Sequence, residues 1–351
     1  MDHRQELEMF AIASPGLEAV CAGELIRLGM ADVRAEPGGV SFRGRLADLY
    51  RANLWLRSAS RILVRFATFR CRDFPRLYQK ALQLPWGQFI QPQTPVELRV
   101  TCRNSRLLHT GRVRQTLLPG IDRVLGRATA ELGQDAQLIF VRIVDDLVEI
   151  SIDSSGPLLH RRGYRQHVTA APLRETLAAG ILLQIGWNGS IPLYDPMCGS
   201  GTFLIEGALI CKNRAPGLHR QFAFMSWPGW RSGLWRQLAE QARSGEVRCS
   251  VNITGSDSDP VAVKAALVNA CQAGVAEDVK IFCTPLEGLD SQPGSGLVVC
   301  NPPYGVRLGS KELFGFYARL GTEIKRAFAL WNKALICPNA GLAQVTKLEV
   351  R

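Results

Sequence analysis

The sequence predicts an α/β protein, in which two small α+β modules precede a doubly wound, mostly parallel sheet. Three observations predict this fold class. From about residue 172 onward, short apolar runs alternate with stretches of helical periodicity, which is the pattern of successive βα units. Before that point, strands and helices follow one another in the order of two α+β units. Hydrophobic residues make up 46% of the 351 residues, which is enough for two or three domain cores.

The first module, residues 1–66, has a βαββαβ-like order. Residues 9–13 predict a strand, and Ser14 predicts a helix N-cap with Pro15 at the first helical position. Apolar residues at helical spacing follow, and Gly29 ends the helix. The remaining predicted elements are a strand, a helix and a strand, at 40–42, 46–56 and 61–66.

The second module, residues 67–158, contains two predicted helices and three predicted strands. The helices are expected at 76–84 and 112–132, and the strands at 96–100, 137–143 and 147–152. Asp145-Asp146 lies between the last two strands, so it predicts a hairpin turn rather than a pair of catalytic carboxylates.

A basic linker, residues 159–171, separates the two modules from the parallel sheet. Its first nine residues are Leu-His-Arg-Arg-Gly-Tyr-Arg-Gln-His. Arginine side chains suit phosphates and a tyrosine ring can stack on a base, so this composition favours RNA contact. A solvated hinge is the alternative interpretation.

The third part, residues 172–351, reads as repeated βα units, with a Trp-rich insertion at 222–243 that has its own helix. Helices are predicted at 173–186, 202–212, 260–273 and 311–328. Strands are predicted at 191–195, 251–255, 279–283, 297–300 and 333–337. Ligands of such sheets bind at the carboxyl ends of the strands.

Composition excludes several classes of protein. We find no run of 18 apolar residues, which argues against a membrane-spanning helix, and the mixed charges of residues 1–6 are unlike a signal peptide. The ten cysteines and five histidines show no metal-binding spacing, so we expect no metal and no disulfide framework. A cytoplasmic protein with reduced thiols is therefore expected.

The net charge of +11 favours a polyanionic partner. The 42 basic residues are mostly arginine, whose planar fork matches phosphate oxygens. A solvated basic surface encoded by a GC-rich genome is the alternative.

Asn301-Pro302-Pro303-Tyr304 is the most informative segment, because it follows the apolar run 297–300. Two prolines remove backbone donors, so this turn presents the Asn301 side-chain oxygen and the Pro302 carbonyl as acceptors. Tyr304 adds an aromatic ring. A planar group that carries an NH2, such as a nucleobase, would fit. An ordinary Pro-rich turn is the alternative.

An acid and a glycine loop follow the strand at 191–195. The loop reads Asp195-Pro-Met-Cys198-Gly199-Ser200-Gly201-Thr202, and its two glycines permit a tight turn and close approach of a ligand. It is not a P-loop, since no lysine follows the second glycine. After the next strand, Asp257 can accept hydrogen bonds from both ribose hydroxyls of a nucleoside, whereas Asp259 before Pro260 predicts a helix N-cap.

The loop, the ribose acid and the Asn-Pro-Pro-Tyr turn stand in order on successive strand ends, and together they resemble class I S-adenosyl-L-methionine-dependent methyltransferases that modify amino groups. The segments 195–208 and 301–309 resemble in particular the THUMP-domain RNA guanine-N2 methyltransferases that act on large-subunit ribosomal RNA. Further similar segments are Ser14–Glu18, Leu54–Arg61, Arg162–Arg165 and Pro172–Ala179. The resemblance implies a ferredoxin-like domain at 1–66, a THUMP RNA-binding domain at 67–158 and a Rossmann-like methyltransferase domain at 172–351.

The resemblance also implies a cofactor and a substrate. S-adenosyl-L-methionine would bind at Asp195, Asp257 and the loop residues Cys198, Gly199, Ser200, Gly201 and Thr202. Asn301, Pro302, Pro303 and Tyr304 would hold the target guanine, and structured RNA would be the partner, ribosomal RNA before tRNA. No metal is required.

The end of the chain departs from this family. Such domains end in an antiparallel hairpin at the sheet edge, and Arg351 follows the strand at 333–337 too closely for both of its strands. We expect an open edge of reduced stability unless 342–350 supplies one strand.

Three alternatives remain open at this point. A tRNA guanine-N2 methyltransferase would share the same domain plan. An adenine-N6 DNA methyltransferase would share the Asn-Pro-Pro-Tyr turn, although the two N-terminal modules argue against it. A non-catalytic RNA-binding protein would retain a vestigial cofactor site, although the intact site residues argue against that.

Overall fold

A computed structural model describes residues 6–127, 136–166, 173–303 and 310–349. The chain divides into two compact units. The N-terminal unit comprises Met1–His160 and Pro216–Gln241, and the C-terminal unit comprises Arg161–Ala215 and Ala242–Arg351.

The described residues form twelve strands and ten α-helices. The strands are β1 Leu7–Ala13, β2 Ala31–Glu36, β3 Gly39–Gly44, β4 Ala59–Arg70, β5 Val96–Arg103, β6 Gln137–Val144, β7 Leu147–Asp153, β8 Leu193–Asp195, β9 Ile253–Asp257, β10 Val279–Cys283, β11 Leu297–Cys300 and β12 Asn332–Leu335. The helices are α1 Glu18–Arg27, α2 Leu46–Trp55, α3 Phe74–Gln83, α4 Thr110–Leu125, α5 Glu175–Gln184, α6 Thr202–Cys211, α7 Ser232–Ser244, α8 Pro260–Gln272, α9 Ser310–Ala327 and α10 Ala340–Val345.

The N-terminal unit contains one seven-stranded sheet in the order β2-β3-β1-β4-β7-β6-β5. Strand β4 pairs with β1 on one side and with β7 on the other, both antiparallel. The sequence predicts this strand only to residue 66, whereas it continues to Arg70 because its second half pairs with β7. The two predicted modules therefore share one continuous sheet.

The Trp-rich insertion folds with the N-terminal unit. Its helix, α7, confirms the sequence prediction of a helix in this segment. The ring of Phe224 stacks on the buried Tyr50 at a centroid distance of 4.4 Å, and Trp227 packs edge-on against Phe89 at 4.8 Å. Aromatic residues are concentrated here because they fill the core of a unit formed mainly by residues far earlier in the chain.

The C-terminal unit contains a fully parallel five-stranded sheet in the order β10-β9-β8-β11-β12. Leu193 faces a core shared with α5, α6 and α8, and the next residue, Tyr194, faces the core formed by α9. Both faces are thus covered, which confirms the predicted doubly wound α/β fold. The strand order reverses between β8 and β11, so the ligand crevice of such a sheet is expected at their carboxyl ends.

Several predicted helix ends differ from the observed ones. Ser14 does not cap α1. The helix begins at Glu18, whose carboxylate accepts hydrogen bonds from the Gly16 and Gly38 amides at 2.7 and 3.1 Å and so stabilises the preceding turn. Helix α4 ends at Leu125 rather than near residue 132, because Gly126 adopts a left-handed conformation with φ of 66°.

The segment after β12 forms a helix and not the strand considered from sequence. The Asn339 side chain caps α10 by accepting a hydrogen bond from the Leu342 amide at 2.9 Å. Strand β12 is the edge strand of the sheet within the described residues.

One pair of cysteines corrects the expectation that all thiols are reduced. A disulfide joins Cys211 at the end of α6 to Cys249. Their separation of 38 residues has no motif that the sequence alone could reveal. Within the described ranges, no helix is both long and apolar enough to cross a bilayer.

The α9–α10 contact gives a stability prediction. A Cβ atom added at Gly321 would lie 2.6 Å from the Thr346 Cα atom, so Gly321→Ala should push the two helices apart. We expect the free energy of unfolding to fall by about 1–3 kcal/mol. Gly315→Ala in the same helix is the matched control, because a Cβ there meets only the flexible end of Arg319 at 3.9 Å. Thermal unfolding of both variants measures the difference, and equal midpoints would contradict the packing described.

Candidate active site

The acid–glycine loop joins β8 to α6 at the carboxyl edge of the sheet. Gly199 and Gly201 have φ values of 53° and 82°, in the left-handed region that favours glycine. A Cβ at Gly201 would lie 3.0 Å from the Cβ of Ala266, so this turn also passes close to α8. The predicted need for glycine at both positions is consistent with this geometry.

Asp195 is a buried carboxylate at the start of this loop. Only 2% of the residue is exposed, and its carboxylate accepts a hydrogen bond from the Met197 amide at 3.1 Å. Burial raises the pKa of Asp195 from its ordinary value of 3.8 to about 8. The hydrogen bond from Met197 opposes this rise, and the charge of Asp257 adds a smaller increase. A neighbouring positive charge would favour its ionised form.

Asp257 connects the end of β9 to the glycine loop. Its Oδ2 accepts a hydrogen bond from the Gly199 amide at 2.8 Å, and its Oδ1 accepts one from the Asp259 amide at 3.0 Å. Each carboxylate oxygen has a further lone pair for a ligand hydroxyl. Asp259 caps α8 by accepting from the Val261 amide at 2.8 Å, as the sequence predicts.

Asn301 follows β11 and contains an unpaired acceptor. Its Oδ1 is shielded from solvent and has no hydrogen-bond partner within the part of the chain that the structure describes. Leaving a buried acceptor unpaired costs about 1–3 kcal/mol, so a ligand that donates to it is strongly favoured. Pro302 is buried and Pro303 is exposed, whereas the predicted Tyr304 lies outside the described residues.

The sheet topology brings the three predicted strand ends together. Strand β8 lies between β9 and β11, and all three are parallel. Asp195 and Asp257 therefore end two of these adjacent strands, and Asn301 follows the third at the same edge. This arrangement combines a carboxylate suited to ribose hydroxyls, a glycine turn that is hydrogen-bonded to this carboxylate and an amide acceptor.

The predicted loop residues Cys198, Ser200 and Thr202 are held largely by the protein itself. The Cys198 amide donates to the Ser256 carbonyl at 2.9 Å, and burial raises the pKa of its thiol, which stays neutral. The hydroxyls of Ser200 and Thr202 accept hydrogen bonds from the Arg165 guanidinium at 3.3 and 3.0 Å. Their side chains thus fix the loop, and so does its backbone, since the Gly199 amide donates to Asp257 and the Gly201 amide donates to the Cys198 carbonyl, both at 2.8 Å.

The linker prediction of RNA contact is wrong for Arg162 and Tyr164. Both are buried, with 5% exposure each. The Tyr164 hydroxyl donates to Glu206 in α6 at 3.0 Å, and the Arg162 guanidinium lies 3.6 Å from the same carboxylate. Glu206 is the single acid in an otherwise apolar helix. A buried acid needs a basic or hydrogen-bonding partner, so this residue could have predicted such a partner elsewhere in the chain.

No sequence motif indicated Arg165, Glu175 or Asn269. Arg165 and Asn269 bind Ser200 in the loop, and Glu175 binds Arg165. No group of three or more potential metal ligands occurs among the residues that the structure describes.

Three family models match the chain. The RlmL ferredoxin-like domain matches residues 8–63, the THUMP domain matches 71–153, and the RMKL-like methyltransferase domain matches 162–349. These matches confirm the fold class predicted from the sequence, with ferredoxin-like and THUMP domains before a class I methyltransferase domain.

Individual proteins agree with the family models. The Synechocystis sp. protein named Putative RNA methyltransferase slr0064 is 37% identical over 95% of this chain and 89% of its own length. The Ribosomal RNA large subunit methyltransferase K/L of Methylococcus capsulatus is 37% identical over 96% of this chain, which spans 47% of that protein. The crystal structure of SMU.472, a putative methyltransferase complexed with SAH, superposes with a TM-score of 0.88 at 30% identity, covering 98% of this chain and 93% of that one.

The buried Asp195 gives a pH-dependent stability prediction. Because its folded-state pKa is raised, the ligand-free fold holds a proton that the unfolded chain has already lost, and this group's contribution to stability falls as pH rises from 5 to 8. Asp195→Asn cannot ionise, so its thermal midpoint relative to the unmodified protein should rise between pH 5 and pH 8. Thermal unfolding without ligand at both pH values measures this. A midpoint difference that is the same at both would contradict the raised pKa.

Proposed function

Because the chain belongs to the family of RMKL-like methyltransferases, we propose that it transfers a methyl group from S-adenosyl-L-methionine to the exocyclic N2 amino group of a guanine in 23S ribosomal RNA. The unpaired buried oxygen of Asn301 carries the proposal, since an amino group of a base would satisfy it. The names of the similar proteins support RNA, and that of the Methylococcus capsulatus protein supports large-subunit ribosomal RNA.

The residues present fit the methyl donor. Asp257 retains lone pairs for two ribose hydroxyls, and the left-handed Gly199 holds the glycine loop against this carboxylate. Asp195 lies beside this loop and would favour the positive charge of the donor's methionine portion. When bound, S-adenosyl-L-methionine supplies an activated methyl group on its sulfonium.

The protein's contribution to transfer is mainly orientation. The lone pair of guanine N2 is delocalised into the ring, so the nitrogen is a weak nucleophile. Asn301 Oδ1 and the Pro302 carbonyl would accept the two amino hydrogens and favour a pyramidal nitrogen, and Tyr304 would cover the base. A new N–C bond forms as the S–C bond breaks, S-adenosylhomocysteine leaves, and one amino proton passes to water. The transfer is accelerated because the two acceptors stabilise the positive charge that develops on N2. It is also accelerated because the nitrogen is held in line with the methyl group.

The domain division expected from the sequence gives each part a role in this proposal. Residues 1–66 and 67–158 bind structured RNA, and 159–171 leads into the catalytic domain. Residues 172–351 carry the transfer chemistry, apart from the insertion that folds with the N-terminal unit. Exposed arginines in the THUMP-matched region suit a phosphate backbone, namely Arg103, Arg106, Arg112 and Arg114. Ribosomal RNA as the substrate would place this activity in the cytoplasm.

The test is transfer of a labelled methyl group. The protein is incubated with labelled S-adenosyl-L-methionine and deproteinised ribosomal RNA, tRNA or DNA, and the modified nucleoside is identified after digestion. N2-methylguanosine from 23S ribosomal RNA supports the proposal. The same nucleoside from tRNA alone would correct the substrate, and N6-methyladenosine from DNA would refute the assignment.

Asn301→Ala tests the role of the unpaired acceptor. The variant should lose about 100-fold or more of the transfer rate, because the amino group is no longer oriented. Its affinity for S-adenosylhomocysteine, measured by calorimetry, should stay within twofold, whereas Asp257→Ala should lose that affinity. Transfer at near-normal rates by the Asn301 variant would show that another residue orients the amino group.

A further inference from the structure

The guanidinium of Arg165 lies behind the glycine loop and contacts residues on both sides of Gly201. Its Nη1 donates to Ser200 Oγ at 3.3 Å, and its Nη2 donates to Thr202 Oγ1 at 3.0 Å. A planar fork can reach both hydroxyls at once, which a single ammonium group cannot do in the same geometry.

Two contacts with the start of α5 fix this guanidinium in place. Arg165 Nε donates to Glu175 Oε1 at 2.8 Å, and Nη2 also donates to the Leu173 carbonyl at 2.8 Å. Both side chains are largely shielded, with 14% exposure for Arg165 and 4% for Glu175. A paired and shielded arginine of this kind is held in one conformation.

Asn269 in α8 holds the same loop through its backbone. Its Nδ2 donates to the Ser200 carbonyl at 3.2 Å, and its Oδ1 accepts from the Gln166 amide at 3.1 Å. The residue is 1% exposed. Ser200 is therefore held twice: its hydroxyl accepts from Arg165, and its carbonyl accepts from Asn269.

These contacts restrict the backbone conformations of the two glycines next to Ser200. Glycine loses more conformational entropy than other residues when it is ordered, so a loop with two glycines binds tightly only if other contacts order it beforehand. We propose that Arg165 and Asn269 are positioning residues that hold the Gly199–Gly201 turn in its ligand-binding conformation and thereby set the affinity for the methyl donor. This inference rests on the proposed function, because it takes the glycine loop as the donor site.

Arg165→Lys is the decisive variant, because lysine retains the positive charge opposite Glu175 and loses the fork. We expect its dissociation constant for S-adenosylhomocysteine, measured by calorimetry, to rise about 10-fold, with a similar rise for Asn269→Ala. In the transfer assay, the KM for the donor should rise by the same factor, while kcat at saturating donor and the KM for RNA stay within threefold.

Tyr164→Phe is the matched control for stability. It removes a buried hydrogen bond from the preceding residue, so its thermal midpoint should fall, yet it leaves the loop contacts in place and should bind S-adenosylhomocysteine within twofold of the unmodified protein. If a folded Arg165→Lys variant binds S-adenosylhomocysteine as tightly as the unmodified protein, the inference is wrong and the proposed function stands. The same holds if Tyr164→Phe loses as much affinity as Arg165→Lys. An unmodified protein that does not bind S-adenosylhomocysteine would overturn both the inference and the proposed function.

Discussion

The hydrogen bond between the Gly199 amide and the Asp257 carboxylate is the contact on which the site depends. It spans 2.8 Å and joins the turn after β8 to the end of β9. The parallel pairing of β8 with β9 sets Asp195 opposite Gly255, so Asp257 extends two residues beyond β8 and reaches the turn. A glycine is needed where the amide turns towards this carboxylate, because its φ is 53°. One bond thus fixes the ribose acid and the loop relative to each other.

The remaining parts of the site follow from the same sheet edge. Helix α6 begins directly after Gly201, and Asn301 reaches the edge from β11 on the other side of β8. The buried Asp195 carboxylate and the unpaired Asn301 oxygen both lower the stability of the fold. The packing of the sheet around them compensates for this loss. Such unfavourable groups are typical of sites whose stability is completed by a ligand.

Local chemistry in the sequence was sufficient to predict the strand ends of the site and several helix boundaries. Glycine in a left-handed turn, Asp259 before Pro260 and the prolines after Asn301 each have a short-range physical meaning. Contacts between residues far apart in the chain could not be predicted in this way. The aromatic residues near Phe224 fill a core around Tyr50, more than 150 residues earlier, and the disulfide partner of Cys211 could not be chosen from spacing. Arg162 and Tyr164 were predicted to contact RNA, because only the folded unit places Glu206 beside them.

A crystal structure of this protein with S-adenosylhomocysteine would show whether Asp257, the glycine loop and Asn301 form one methyl-donor site. We expect both ribose hydroxyls to lie within hydrogen-bond distance of Asp257, the homocysteine portion to lie along Gly199–Gly201, and the sulfur to face Asn301. A ligand whose ribose is held by another residue, or whose sulfur faces away from Asn301, would contradict it.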